Sequence, residues 1–349
     1  MLDETVTEFE PTSTITICIP VYNDSRSATL LLHELDTIAT TLPHTLQVLF
    51  VDDGSSERQW QELPGPTRSL PRVEVLRLRR NLGHQRAIAI GLAALAARGE
   101  SDLVVVMDGD GEDTPASLPR LLRPALDDRP TAAHTAIFAE RLKRHDGAGF
   151  LAGYRAFRLL HRLLVGEDIK VGNFSVLPRA VLDRVVGISE IWNHYAAGVV
   201  HARIPVTRVP IARGRRLAGQ SKMNLPSLVM HGISALSVWS DVIVARLFLA
   251  VGGLLAGAVA LLAGSLVLRL FSVTIIKGWT PGIFGLLLVV TLLGIVCLLL
   301  ALFVLGSRSA TTMLPHRDWQ DYILPDPPTR EQAAAEATPA EDEPIVITP

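Results

Sequence analysis

The stretch from Leu103 to Asp113 most constrains how this chain can fold. An apolar run, Leu103-Val104-Val105-Val106-Met107, stops abruptly at Asp108-Gly109-Asp110-Gly111-Glu112-Asp113. A continuous β-branched run describes a strand buried on both faces, the kind found in the parallel sheets of α/β proteins. Open sheets of that type bind ligands beyond the carboxyl ends of their strands, so the carboxylates fall where a site is expected. Asp108 and Asp110 are hard oxygen donors suited to Mg²⁺ or Mn²⁺ held partly by a substrate diphosphate, and Gly109 between them lets a phosphate approach the backbone. Taken alone, the eleven residues read equally well as an acidic solvated turn.

The same pattern recurs along the chain. Thr14 to Val21 reads as a strand running into Tyr22-Asn23-Asp24, and a helix capped near Asp24 or Ser25 carries Leu30, Leu31, Leu35 and Ile38 on one face. Thr45 to Val51 is an apolar strand ending in Asp52-Asp53-Gly54-Ser55-Ser56. Val73 to Leu78 makes a third strand, followed by Asn81-Leu82-Gly83-His84-Gln85-Arg86 and an alanine-rich helix to about Arg98. Ala136 to Ala139 and Arg203 to Ala212 read as later strands. Strands alternating with helices predict an α/β, mostly parallel, Rossmann-like sheet with its site along one edge.

A different architecture begins near Arg246. Leu247 to Leu268 and Ile283 to Leu305 lack any charged residue, and about 20 apolar residues cross a bilayer as a helix. Two transmembrane helices are expected, joined by Arg269 to Gly282. Pro226 to Asp241, with Trp239 near its end, reads as an amphipathic juxtamembrane helix. Met1 to Glu10 is acidic and has no apolar core, so no cleavable signal is expected. The first domain is therefore placed in the cytoplasm and the chain in the plasma membrane as a multi-pass protein. Arg213, Arg215, Arg216, Lys222, Arg246, Arg308 and Arg317 flank that inner face, as positive-inside bias requires, while Arg269 and Lys277 lie on the other side. The expected divisions are a tail over 1–13, an α/β domain over 14–224, the juxtamembrane helix over 225–246, the helix pair over 247–306 and a second tail over 307–349, disordered from about Pro325. A formal net charge of −2 gives no hint of nucleic acid. Cys18 and Cys297 read as small apolar fillers.

Pro20-Val21-Tyr22-Asn23, Val51-Asp52-Asp53-Gly54-Ser55 and Asp108-Gly109-Asp110, in this order at strand ends, resemble family 2 of the inverting glycosyltransferases with the GT-A fold. The resemblance implies a nucleotide-sugar donor held near Pro20, Tyr22, Asp24, Asp53, Gly83 and Gln85, with Asp108 and Asp110 on the metal and diphosphate. The family usually has Glu where this chain has Asp24. Asn81 to Arg86 and Glu112-Asp113-Thr114-Pro115 are similar to the polyprenyl-phosphate branch, which includes the dolichol-phosphate mannose synthases. That branch implies a polyprenyl phosphate acceptor, a membrane partner and association through membrane and juxtamembrane helices. Asp113 before Pro115 also suits a helix start, and is read as a cap first.

Val171-Gly172-Asn173-Phe174-Ser175 departs from that branch, which commonly shows Gly-Asp-Phe-Arg with the Asp as candidate base. An amide accepts no proton at neutral pH, so that role does not pass to Asn173. Either the acceptor phosphate, with its second ionisation near about pH 6, needs little help, or Asp168, Glu190 or His194 serves as base. Glu190 and His194, four apart, would share a helical face. The segment Arg213 to Met223 resembles the family's Arg-x-x-Gly-x-Ser-Lys loop, and Arg213, Ser221 and Lys222 are its candidate catalytic residues, able to close on the donor diphosphate; the same cations would also serve as a positive-inside anchor. Arg155, Arg158 and Arg162 on the helix from Phe150 to Leu164 face phosphates or simply solvent. Processive synthases of the family carry Gln-x-x-Arg-Trp, which is missing here. A hydroxyl acceptor and a catalytically silent nucleotide-sugar-binding scaffold are the rival expectations.

Overall fold

The computed structural model describes residues 13–56, 67–127, 129–141, 162, 165–166, 171–219, 232–271, 279–309 and 314–325. Asp168, Ser221, Lys222, most of the arginine-bearing segment from Phe150, the first part of the juxtamembrane helix and the tail beyond Pro325 lie outside them.

Seven strands form one sheet: β1 (Thr14–Val21), β2 (Thr45–Asp52), β3 (Arg72–Arg77), β4 (Leu103–Val106), β5 (Ala136–Arg141), β6 (Val171–Pro178) and β7 (Val206–Ile211), in the order β3-β2-β1-β4-β6-β5-β7. All share one direction except β6, which runs antiparallel to both β4 and β5. The mostly parallel expectation therefore holds with one reversal. That reversal brings the N-terminal part of β6 to the carboxyl end of β4, with Val106 opposite Ser175.

Both faces of the sheet are covered, which is why its strands read as unbroken apolar runs. Alternate residues divide between two cores. Cys18, Leu49, Val51, Val104 and Val106 face one layer with α2 (His84–Arg98). Ile17, Ile19, Val48, Phe50 and Val105 face the other with α1 (Ser25–Ala39). On α1, Leu31, Leu32 and Leu35 are buried while Leu30 is exposed, so the apolar face is rotated slightly from the expected one. Cys18 is the filler its sequence implied, and burial pushes its thiol pKa up to about 12. Helix α2 lies close on the sheet because Gly91 has no side chain: a Cβ there would stand 2.5 Å from the Cys18 Sγ.

Four short helices follow in chain order between or after the strands: α3 (Leu118–Leu122), α4 (Arg179–Val185), α5 (Tyr195–His201) and, near the C-terminus, α8 (Pro315–Asp318). Between α5 and α8 stand two helices of 31 residues, α6 (Ser240–Leu270) and α7 (Trp279–Ser309). They pack together where Gly294 meets the Val251 side chain. Among the described residues one helix is long and apolar enough to cross a membrane, Ser240–Leu268, and most of that stretch is not buried inside the protein; a shorter apolar stretch covers Gly282–Cys297.

Both ends of this helical pair are tied to the α/β domain. At the start, Trp239 meets the His201 ring edge-on at 5.6 Å and shares a small core with Val165, Ala197 and Val238. At the end, the His316 N–H donates to the Val186 carbonyl at 3.3 Å, the Arg79 N–H to Tyr322 and the Leu324 N–H to Arg77, each at 2.8 Å. Ile323 bridges Leu78 as a short antiparallel extension of the sheet edge. Trp319, Tyr322 and Ile323, the order-forming residues of the tail, cover the outer side of the α2 layer. An alanine-rich helix with almost no polar face is thereby buried from two sides.

Candidate active site

The carboxyl ends of β1, β2 and β4 lie side by side, so three loops separated in sequence meet in space. After β1, the Asn23 carboxamide Oδ1 accepts from the Ser56 N–H at 2.8 Å, and the Asn23 N–H donates to the Ser55 hydroxyl at 2.9 Å. This clamps the first loop to the second. After β2, the Asp52 Oδ1 accepts from the Ser55 N–H at 2.9 Å. Asp53 points across to the start of α2, where its two oxygens accept the Leu82 and Gly83 N–H groups at 2.7 and 2.9 Å. Burial pushes the Asp53 carboxyl up, against the pull of those two bonds. Asp53 thus holds the Asn81–Gly83 turn that leads into α2. Gly83 leads into α2 at φ 97°, and Pro20 is buried in β1. Tyr22, 44% exposed, remains on the surface of the first loop.

The acids after β4 behave differently. The Asp108 Oδ1 lies 3.1 Å from the His84 Nε2 and accepts from the Asn173 Nδ2 at 3.3 Å. Burial pulls the His84 pKa down, but the charge of Asp108, with Asp53 and Asp110 behind it, raises it overall. The Asp110 Oδ2 accepts from the Arg216 Nη1 at 3.1 Å, and the same guanidinium pairs with Asp24 through Nη2. Asp24 stands at the cap position of α1, but its side chain bonds no N–H there, because it is turned to Arg216. Asp113 is also no helix cap. Its Oδ2 folds back to accept the Asp108 N–H at 3.1 Å, fixing the turn that presents Asp108.

The loop after β7 lies directly on these acids. Arg213 pairs with Glu112, the Gly214 N–H donates to the Glu112 carbonyl at 2.8 Å and the Leu217 N–H to the Asp110 carbonyl at 3.0 Å. Gly111, at φ 82°, lets Leu217 pack against its backbone where a side chain would collide. Arg216, overlooked in the sequence, is therefore the guanidinium on Asp110, as Arg213 is on Glu112. The signal was available: in Arg-x-x-Gly-x-Ser-Lys the register that puts Ser221 and Lys222 in place puts Arg216, rather than Arg213, at the first position.

Other expected residues go elsewhere. Gln85 is buried between Asn173 and the Tyr195 N–H. Glu190 lies in a 3₁₀ turn, Ser189–Trp192, and accepts from the Ser189 hydroxyl at 2.9 Å. His194 precedes a separate helix, α5, and caps it by accepting the Ala197 N–H at Nδ1. The common helical face expected of these two is not formed. Ser175, in the place of the family's Arg, bonds the Tyr195 hydroxyl at 2.7 Å.

No group of three or more His, Cys, Asp or Glu is assembled for a metal among the described residues. A two-carboxylate site nonetheless suits Mg²⁺ or Mn²⁺, which keep water and substrate phosphate oxygens as their remaining ligands. Charge argues the same way: Asp24, Asp110 and Glu112 gather against the guanidiniums of Arg213 and Arg216, while Asp108 meets His84. An anionic diphosphate enters such a cluster only with a cation to offset the repulsion. The Arg213 Nε, buried with no partner among the described residues, is a donor that a phosphate oxygen would satisfy.

Residues 16–186 match the family described as Glycosyl transferase family 2. An uncharacterized glycosyltransferase of Bacillus subtilis (strain 168), YkcC, is 28% identical over 319 residues, which cover 88% of this chain and 92% of the relative. An undecaprenyl-phosphate 4-deoxy-4-formamido-L-arabinose transferase of Klebsiella pneumoniae (strain 342) is 25% identical over 234 residues, 63% of this chain and 66% of that protein. The crystal structure of mannosyl-3-phosphoglycerate synthase from Rubrobacter xylanophilus aligns with a TM-score of 0.49 and 17% identity, over 66% of this chain and 73% of that one. With the acid-ended strands that frame the site lying inside the matched region, residues 16–186 of this chain carry a Glycosyl transferase family 2 domain.

Proposed function

We propose that this enzyme moves one sugar from a nucleotide-sugar donor to a polyprenyl phosphate at the cytoplasmic face of the membrane, with inversion at the anomeric carbon. The observation that carries the proposal is the docking of the Arg213–Gly219 loop onto Asp24, Asp110 and Glu112, with α6 following soon after in the chain. Phosphate-handling groups thus lie close in the chain to the helix with the length and composition of a membrane span. The undecaprenyl-phosphate transferases among the relatives support this acceptor class.

Asp108 and Asp110 would hold Mg²⁺ or Mn²⁺, which supplies charge neutralisation for the departing diphosphate. Tyr22 offers an exposed ring for the nucleobase, and Asp53 fixes the Gly83 turn beside it. Arg216 and Arg213, freed from their carboxylates when the donor arrives, turn their N–H groups to the phosphates and stabilise charge as the sugar bond breaks. An acceptor phosphate oxygen attacks the anomeric carbon from the opposite side. With a second ionisation near about pH 6 it arrives largely deprotonated, and a site with Asn173 in place of an acid suits an acceptor that needs no base.

The two-pass topology has support of its own. Trp239 and Tyr322 both pack on the α/β domain, so the chain that leaves along α6 returns to the same side. If α6 crosses the bilayer, α7 crosses back.

Full-length protein incubated with radiolabelled nucleotide sugars, Mn²⁺ and undecaprenyl phosphate should yield label that extracts into organic solvent and is released by mild acid. Label appearing only on hydroxyl-bearing lipids or polymer would reject the acceptor. Full activity in Asp110→Ala would reject the metal site.

A further inference from the structure

Resting on that proposed reaction, we infer that Asn173 is a positioning residue for Asp108, oriented by a one-way relay of amides that begins at a backbone N–H. The direction of each bond from Tyr195 to Asp108 is set by chemistry, and the His84 contact alone follows the imidazole tautomer. The Tyr195 N–H can only donate, and it donates to the Gln85 Oε1 at 2.7 Å. Gln85 must then present its Nε2 to Asn173, where Oδ1 accepts at 3.3 Å. Asn173 is left with its Nδ2 turned outward, and that group donates to the Asp108 Oδ1 at 3.3 Å while standing 3.0 Å from the His84 Nε2.

The relay is buried: Asn173 is 8% exposed and Gln85 likewise 8%. An amide with no alternative water partners holds its orientation firmly, because reversing it would set acceptor against acceptor. Ser175 completes the arrangement, its hydroxyl linking the Asn173 carbonyl at 2.8 Å to the Tyr195 hydroxyl at 2.7 Å. Asn173 and Ser175 of β6, Gln85 of α2 and Tyr195 at the head of α5 thus form one neutral network beside a single carboxylate.

A carboxylate at position 173 would leave this chain worse off. One of its oxygens would accept from Gln85, and the other would face the Asp108 Oδ1, so that two negative charges would share the His84 Nε2. Donation from an amide fixes the Asp108 rotamer and adds no charge, which leaves the full negative charge of Asp108 for a cation. The paired absence of the Asp and Arg that related enzymes carry here follows from this design, in which Ser175 and Tyr195 take up the position an arginine would fill.

The test measures Mn²⁺ alone binding to the full-length protein in detergent, by the electron paramagnetic resonance signal of the free ion, together with transfer kinetics. Asn173→Ala should weaken Mn²⁺ about 10- to 100-fold, the usual effect of removing a group that orients a metal ligand. Gln85→Glu should do the same. It can still accept the Tyr195 N–H and still bond Asn173, but it forces that amide to turn its Oδ1 toward Asp108. Both variants should melt several degrees lower, since one leaves the Gln85 Nε2 without its acceptor and the other buries a charge, so Mn²⁺ binding is read well below the transition. At saturating Mn²⁺ kcat should fall no more than about 3-fold, so the loss appears as a raised half-saturating Mn²⁺ concentration. Gln85→Glu binding Mn²⁺ like the unaltered protein would overturn the relay, and equal losses in kcat at every Mn²⁺ concentration would overturn a positioning role. Failure of the unaltered protein to bind Mn²⁺ would instead reject the metal site of the proposed reaction, and with it this inference.

Discussion

Strands β2 and β4 carry the same written signature, an apolar run closed by two carboxylates, and the structure uses them in opposite ways. At the end of β2, Asp52 and Asp53 accept backbone N–H groups of Ser55, Leu82 and Gly83. Their charge is spent on shaping loops. At the end of β4, Asp108 and Asp110 meet mainly side chains, namely His84, Asn173 and Arg216, with one backbone N–H, that of Glu112, on Asp110. Side chains can move away when a ligand arrives, whereas the backbone groups bonded to Asp53 belong to the fold. Carboxylates that look alike in sequence thus divide into a builder's pair and a chemist's pair according to the mobility of their partners.

The largest effect expected of that division is on activity. Asp110→Ala should cut transfer by at least about 100-fold, the scale for losing a group that stabilises charge in the transition state. Its melting temperature should hardly change, and a strong loss of stability would place Asp110 with the builders.

Arg216→Ala sharpens the comparison from the other side. It should lower kcat by about 10- to 100-fold, since a diphosphate loses a charge-assisted donor. It should also lower the Mn²⁺ concentration needed for half-maximal rate, since Asp110 loses a competing cation. A rise in that concentration would show that the guanidinium helps to assemble the metal site.

Asp53→Ala should show the opposite profile from Asp110→Ala. Two N–H groups would lose their acceptor, at about 1–3 kcal/mol each if water cannot replace it, and thermal denaturation should fall by several degrees. Saturating donor should restore much of the activity in the cold, where the turn is less strained; an unchanged melting temperature would remove Asp53 from the structural class.

The smallest effect concerns Glu74 on β3, an acid that serves the fold through ion pairs. Burial raises its pKa, but the Arg72 and Arg98 guanidiniums lower it more, leaving it below the ordinary 4.5. A depressed acid contributes stability above its unfolded pKa and loses it as pH falls through the folded one. Stability measured by urea titration should therefore decline below about pH 4.5, and Glu74→Gln should flatten that part of the profile.

Much of the donor half was legible because its signals are local. The β1, β2 and β4 runs, their acid ends and the Asn81–Arg86 segment were placed from residue order alone, and the structure keeps them together. The second half was harder. Strand β6 is as apolar as its neighbours, and nothing in its residues announces that it runs antiparallel. Asp113 and Asp24 were read as caps on sound local grounds, yet distant or folded-back partners claimed them. Glu190 and His194 satisfied helical spacing but fall on either side of a break between two elements.

By itself the sequence determined the α/β sheet, the acid-ended strands and the two long apolar helices, because strand burial, strand ends and apolar runs are written in the order of neighbouring residues. Only the tertiary structure decided which acids remain for chemistry, that Arg216 reaches Asp24 across 192 positions, that Asn173 reaches Asp108 across 65, and that the chain beyond the helices comes back to cover α2. A hydrogen bond is satisfied by whichever partner the fold delivers, and sequence separation carries no information about that delivery until the strands have been laid side by side.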